Sequence, residues 1–230
     1  MVRDQIINEH IGRMLEQGLI QPVQAEWSSN IVLVRKQDQN WRFCLDYRNL
    51  NEKTRKDVFP LPRIDVCLDS LAKAVWYSTL DLRSGYYQVP LRPEDAVKTT
   101  FISRTGSYCW KVMPMGLWNA ASSFQRLMNY VLAGLNYHLC LVYLDDTVVY
   151  SSSIDEHLER LGAVFERIRQ AGLKLRPDKC KLLQEEVKFL GHVISAAGIQ
   201  VESSKVVAVQ QWGTPKKLKD VRAFIGLCSY

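Results

Sequence analysis

The sequence predicts an α+β protein built around an antiparallel central sheet. Helix-period and strand-period segments follow one another without a regular strand–helix–strand rhythm, and the clearest strands come in pairs separated by short polar turns. The 230 residues, 47% of them hydrophobic and 23% charged, suffice for a real core and exclude a disordered tail. No apolar run approaches the roughly 20 residues that cross a bilayer, so no membrane partner is expected. The start, Met1-Val2-Arg3-Asp4-Gln5, lacks a secretory apolar segment.

Residues 6–18 place Ile7, Ile11, Met14 and Leu15 on one helical face, with Gly18 positioned to end the helix. Asn30 to Val34 and Arg42 to Tyr47 read as strands flanking the polar turn Gln37-Asp38-Gln39-Asn40. Residues 53–63 are basic, contain proline and read as extended; Ile64 to Leu71 is a short helix and Val75 to Leu82 a strand. Arg104-Thr105-Gly106-Ser107 reads as a hairpin turn. Asn119 is placed to cap a helix carrying Phe124, Leu127, Met128, Val131 and Leu132. Two apolar strands follow, 138–143 and 147–151, separated by Leu144-Asp145-Asp146. Ser153 and Glu156 have capping-box spacing and open a helix with Leu158, Leu161, Val164, Phe165 and Ile168 on one face, ended by Gly172. Strands near 173–175 and 187–194 and helices over 203–211 and 217–229 complete the reading.

Six cysteines contain no Cys-x-x-Cys pair and four histidines no His-x-x-x-His pair, so neither a zinc site nor a disulfide framework is indicated. Scattered cysteines in apolar stretches read as buried thiols of a reducing compartment. The net charge of +6 concentrates in two places, around Arg35 to Lys56 and Lys205 to Arg222. Such clusters suit a polyanionic partner or simply a solvated basic face.

The chemistry lies in two short segments. In Tyr143-Leu144-Asp145-Asp146 two adjacent carboxylates stand at the tip of an apolar hairpin, where like charges raise one another's pKa unless a cation lies between them. In Ser78-Thr79-Leu80-Asp81-Leu82-Arg83-Ser84-Gly85-Tyr86 a lone acid ends an apolar strand. Each alone reads equally as an Asp-rich turn or a strand-end cap. Brought together on neighbouring strands, they form a three-carboxylate cluster of the kind that holds hard divalent cations. Two such ions activate an attacking hydroxyl and stabilise the leaving oxygen in phosphoryl transfer.

Six ordered blocks carry a resemblance over nearly the whole chain. They are Trp41 to Asn51, Phe59-Pro60-Leu61-Pro62, Leu80 to Tyr86, Val112 to Ala120 with Phe124-Gln125, Tyr143-Leu144-Asp145-Asp146, and Phe189-Leu190-Gly191-His192. The sequence resembles the reverse transcriptase domain of long-terminal-repeat retrotransposons of the Ty3/gypsy type, related to retroviral polymerases. The resemblance implies a polymerase palm-and-fingers fold with a truncated thumb. It implies fingers over 1–73, palm over 74–102, a fingers/palm junction over 103–118, palm again over 119–200 with the Asp-Asp hairpin and primer grip, and the start of a thumb over 201–230. No ribonuclease H domain is expected within the chain.

The implied activity is RNA-directed DNA polymerisation. Two Mg2+ ions would be held by Asp81, Asp145 and Asp146 with the backbone carbonyl of Leu82; Mn2+ suits the same all-oxygen donors. Asp81 and Asp145 would bridge the ions and Asp146 would be accessory. Tyr86 would sit under the incoming sugar and exclude a ribose 2′-OH. Arg42, with Lys36 or Arg35, would take the triphosphate; Met115 and Gly116 would line the nucleotide site. Lys179, with Lys181 as a rival, would meet the leaving pyrophosphate. Tyr143, Gly191 and His192 would contact primer and template. Partners are then RNA and DNA template-primer and deoxynucleoside triphosphates, and the setting is the cytoplasm or a retroelement particle. Met115, Tyr87 and Ser122-Ser123 depart from the usual family residues without touching a metal ligand. A second reading is a non-catalytic remnant that binds RNA–DNA duplex; an RNA-dependent RNA polymerase is disfavoured by the aromatic at Tyr86.

Overall fold

The structure, a computed structural model, describes residues 2–35, 39 and 41–228. Lys36 and most of the predicted turn at 37–40 lie outside the described residues. The chain opens with α1 (Val2–Glu16), β1 (Ile20–Pro22), β2 (Asn30–Arg35), β3 (Trp41–Asp46), α2 (Arg48–Lys53), α3 (Ile64–Leu71) and β4 (Trp76–Asp81). A 3-10 turn over Gly85–Gln88 leads to α4 (Pro93–Ala96), β5 (Phe101–Ser103), β6 (Gly106–Trp110) and α5 (Ala120–Val131). Then come β7 (Cys140–Tyr143), β8 (Asp146–Ser151) and α6 (Ile154–Gln170). The chain closes with β9 (Lys181–Gln184), β10 (Glu186–Phe189), β11 (His192–Ser195), β12 (Gly198–Val201), α7 (Ser203–Gln210) and α8 (Leu218–Cys228).

The central sheet has the order β7-β8-β4-β9, and all its pairings are antiparallel. Strands β7, β8 and β4 are apolar on both faces because both faces are covered there, so their side chains alternate between two cores. Leu80, Cys140, Val142 and Val149 pack with Phe124 and Met128 of α5 and Leu161, Val164 and Ile168 of α6. Tyr77, Leu141, Val148 and Tyr150 face the other way, onto Cys67 and Leu71 of α3 and Val187, Phe189 and Ile194 of the β10-β11-β12 sheet. A third core joins α1 to the β1-β6-β5 sheet through Ile11, Met14, Ile20, Phe101 and Trp110. The β2-β3 ribbon pairs in register from Asn30↔Asp46 to Arg35↔Trp41.

Several local expectations are corrected. The segment 187–194 is a hairpin, not one strand: Leu190 (φ 50°) and Gly191 (φ 74°) form a two-residue turn closed by Phe189↔His192. Residues 173–175 contribute one isolated bridge, Leu82↔Leu175, in place of a strand. Asn119 does not cap α5. Its amide accepts from Asp57 N–H at 3.1 Å and donates to the Arg55 carbonyl at 2.9 Å, tying the extended 54–63 segment to the start of the helix. Ser153 does accept from Glu156 N–H, but the Glu156 carboxylate turns to the backbone and hydroxyl of Ser152. On α6, Leu158 is exposed and His157 is fully buried. All six cysteines are free thiols; Cys67, Cys109 and Cys140 are buried, whereas Cys228 is exposed.

Candidate active site

The site forms where β4 ends and β8 begins. The β4–β8 register runs from Trp76↔Ser151 to Asp81↔Asp146, so these two acids are a directly opposed cross-strand pair. They share the parity of Tyr77 and Tyr150, which places them on the sheet face that the β10–β12 hairpins cover. Asp145 sits one residue away in the Leu144-Asp145 turn that joins Tyr143 to Asp146. The other two carboxylates act on Asp146. Crowding by protein, then the charges of Asp145 and Asp81, raise the Asp146 carboxyl pKa above its ordinary value.

The turn is made by a residue that does not favour it. Leu144 adopts φ 57°, a left-handed conformation more natural to glycine. Gln125, buried in α5, holds it there. Its Oε1 accepts from Leu144 N–H at 2.6 Å, while its Nε2 donates to the Val142 carbonyl at 3.2 Å and to Asn129 Oδ1 at 2.9 Å. In the sequence the Phe124-Gln125 block marks Gln125 only as an amide set among the apolar residues Phe124, Leu127 and Met128.

On the other side of Asp81 the turn Arg176–Cys180 closes in. Arg176 N–H donates to the Asp81 carbonyl at 2.8 Å, and Asp81 N–H donates to Cys180 Sγ at 3.5 Å. Lys179 Nζ stands 3.6 Å from Asp81 Oδ2. Leu82 follows, its side chain buried and its backbone bridged to Leu175.

Tyr86 also reaches this end. Its ring lies 5.1 Å from that of Phe124, and burial with the nearby Asp145 charge raises its hydroxyl pKa. Gly85 makes that approach possible, since a Cβ there would come within 2.9 Å of Phe124 Cζ. Tyr143 ends β7 opposite Asp146 and packs, with Leu190, in the core of the same face. Gly191 and His192 lie at and after the β10–β11 turn, and His192 Nδ1 is 3.0 Å from the Leu190 carbonyl. Arg42 is exposed on β3, opposite Val34. Met115 is exposed. Gly116 (φ 95°) packs beside Tyr47 and accepts from Asn51 Nδ2 at 2.8 Å. Among the described residues, no hydrogen bond or ion pair joins Arg42, Met115 or Gly116 to the carboxylates.

As a donor set the three carboxylates suit a hard divalent ion, and Lys179 already sets a positive charge against one of them. Among the described residues, however, no three His, Cys, Asp or Glu side chains converge closely enough to form a ready-made cage.

The family model described as reverse transcriptase (RNA-dependent DNA polymerase) matches residues 34–194. The chain belongs to that family. It is similar to the retrovirus-related Pol polyprotein from transposon 297 of Drosophila melanogaster, 39% identical over 97% of this chain and 22% of that protein. It is 34% identical to the corresponding polyprotein from transposon gypsy, again over 97% of this chain and 22% of the relative. The chain thus spans about a fifth of the curated relatives, and with them it is a Ty3/gypsy-type reverse transcriptase domain. Among solved structures, the foamy viral protease-reverse transcriptase in complex with dsDNA superposes with a TM-score of 0.85 at 27% identity, over 98% of this chain and 47% of that one. The same protein in complex with RNA/DNA hybrid also gives 0.85, over 99% of this chain and 30% of that one. The α+β architecture with its central antiparallel sheet is therefore the palm-and-fingers fold of reverse transcriptases.

Proposed function

We propose that this domain adds deoxynucleotides to a primer on an RNA or DNA template. The observation that carries the reading is the opposed pair Asp81↔Asp146, with Asp145 in the adjoining turn, in a fold that superposes on a reverse transcriptase complexed with RNA/DNA hybrid. In this reading the β7-β8-β4-β9 sheet is the palm and the β2-β3 ribbon belongs to the fingers.

Asp81, Asp145 and Asp146, with the Leu82 carbonyl, would hold two Mg2+ ions. Bound there, the ions supply a lowered pKa for the primer hydroxyl and positive charge for the departing phosphate. The protein's own groups do the rest. Gln125 and the β-register orient the carboxylates. Tyr86, rigid between Phe124 and the Asp145 end of the site, presents a ring edge against a 2′-OH. Arg42, Met115 and Gly116 line the nucleotide site. Lys179 neutralises or protonates the pyrophosphate leaving group. Tyr143, Gly191 and His192 support the primer end.

Primer extension on poly(rA)/oligo(dT) with Mg2+ tests the reading, comparing the wild type with Asp145→Asn. Extension by the wild type and its loss in the variant are expected. Extension that survives Asp145→Asn overturns the metal assignment. Duplex binding with no extension by the wild type means a nucleic-acid-binding module instead.

A further inference from the structure

His157 is fully buried on α6, away from the carboxylates, yet it is hydrogen-bonded on both ring nitrogens. Nε2 lies 2.7 Å from Ser78 Oγ of β4, and Nδ1 lies 2.9 Å from Ser151 Oγ of β8. The Ser151 hydroxyl donates to the Ser153 carbonyl at 2.8 Å, so it accepts from Nδ1. Ser78 Oγ accepts from Leu183 N–H of β9 at 3.0 Å and has its own proton for Nε2. One proton arrangement therefore satisfies every member: a neutral ring protonated on Nδ1, within a chain running from Leu183 N–H to the Ser153 carbonyl. Burial, and then the neighbouring Arg160 guanidinium, keep the ring's pKa below the usual histidine value.

The far end of this chain sits on an irregularity. Tyr77 pairs with Gln184, but Thr79 pairs with Lys181, so β9 spends three residues where β4 spends two. Leu183 lies within this bulge at φ 51°, a left-handed conformation unfavourable for leucine. Just ahead of this bulged strand runs the turn that meets Asp81. Leu82 bridges to Leu175 and Arg176 N–H donates to the Asp81 carbonyl, so the 3-10 turn Pro177–Lys179 lies between that bridge and Lys181 at the start of β9, with Lys179 Nζ 3.6 Å from the Asp81 carboxylate.

We propose that His157 is a positioning residue: through Ser78 it pins the Leu183 bulge of β9, and the pinned strand anchors the adjoining turn that holds Lys179 and Cys180 beside Asp81. The catalytic consequence rests on the polymerase reading above; the structural one does not.

The test compares Ser78→Ala, Ser151→Ala and His157→Leu with the wild type. The first readout is the alkylation rate of Cys180 under native conditions, followed by mass spectrometry of its peptide. The second is the split between kcat and the nucleotide KM in primer extension. Ser78→Ala and His157→Leu are expected to raise Cys180 alkylation about tenfold and to lower kcat with KM within twofold. Ser151→Ala removes an equally buried hydroxyl that makes no direct bond to β9 and leaves the His157–Ser78–Leu183 links in place. It is expected to lower the melting temperature while leaving both readouts within twofold. Equal effects of Ser78→Ala and Ser151→Ala on Cys180, or no effect of Ser78→Ala, overturn the proposal. If His157→Leu does not fold, the two serine variants still decide it. Absence of primer extension in the wild type, with Cys180 still separating the two serine variants, defeats the polymerase reading and leaves the positioning role standing.

Discussion

Asp146→Asn is expected to make the metal-free protein more stable while abolishing polymerisation. Asp146 is directly opposed to Asp81 and adjacent to Asp145, and those two charges help raise its pKa. Opposed Cβ atoms in an antiparallel pair are about 5 Å apart. Two unit charges at that separation repel by about 0.8 kcal/mol in a water-like dielectric and about 3 kcal/mol at an effective dielectric of 20. Asp146 is exposed, so the lower end applies, and the Lys179 ammonium on Asp81 offsets part of it. A net gain of about 0.5 kcal/mol is expected, or about 1–2 °C in melting temperature for a chain of this size.

The sign with pH follows from the direction of the shift. A carboxyl whose folded pKa is raised binds its proton more tightly in the native state. Its penalty is fully present above the folded pKa, and it fades as pH falls through that value towards the ordinary carboxylate range. Thermal melts of both proteins in EDTA, from pH 4 to pH 8, are therefore expected to diverge at the high end and converge at the low end. Added Mg2+ is expected to raise the wild-type melting temperature more than the variant's. A variant that melts at or below the wild type in EDTA at pH 8 would show that the carboxylates do not crowd one another, and the reasoning fails.

Gln125→Leu leaves Leu144 N–H without its acceptor in a strained turn, and about 1–3 kcal/mol of stability is expected to go. Urea unfolding measures the loss, and kcat is expected to fall further than stability alone explains. Gly85→Ala drives a Cβ into the fully buried Phe124 ring, an overpacking costing about 1–3 kcal/mol. A melting curve unchanged from the wild type would contradict that close approach. Tyr86→Val is expected to raise ribonucleotide incorporation at least tenfold in single-nucleotide extension; unchanged sugar discrimination removes Tyr86 from that role.

Much of the molecule was legible in the chain because local patterns coincide with what the core requires. The period-2 apolar runs at 75–82 and 147–151 became β4 and β8, and the helical stripes at 64–71 and 120–131 became α3 and α5. What was missed depends on contacts distant in sequence. Asn119 has cap chemistry, yet its amide is claimed by residues more than sixty positions away. Leu190-Gly191 breaks an apolar run because the second hairpin must fold back over Tyr77 and Val148, a demand no window around it contains. The strand β9 hides in a polar, leucine-containing stretch because it lies exposed at the sheet edge.

By itself the sequence determined the two-faced burial of the central strands, the residues able to hold divalent ions and the family to which they belong. These follow from side-chain chemistry and short-range periodicity. Only the tertiary structure decided that Asp81 and Asp146 stand opposite one another, that Gln125 holds Leu144 in its turn, and that the turn ahead of β9 sets Lys179 beside Asp81. Register between strands far apart in the chain is set by how the finished cores pack, and a single extra residue reverses which face a side chain occupies.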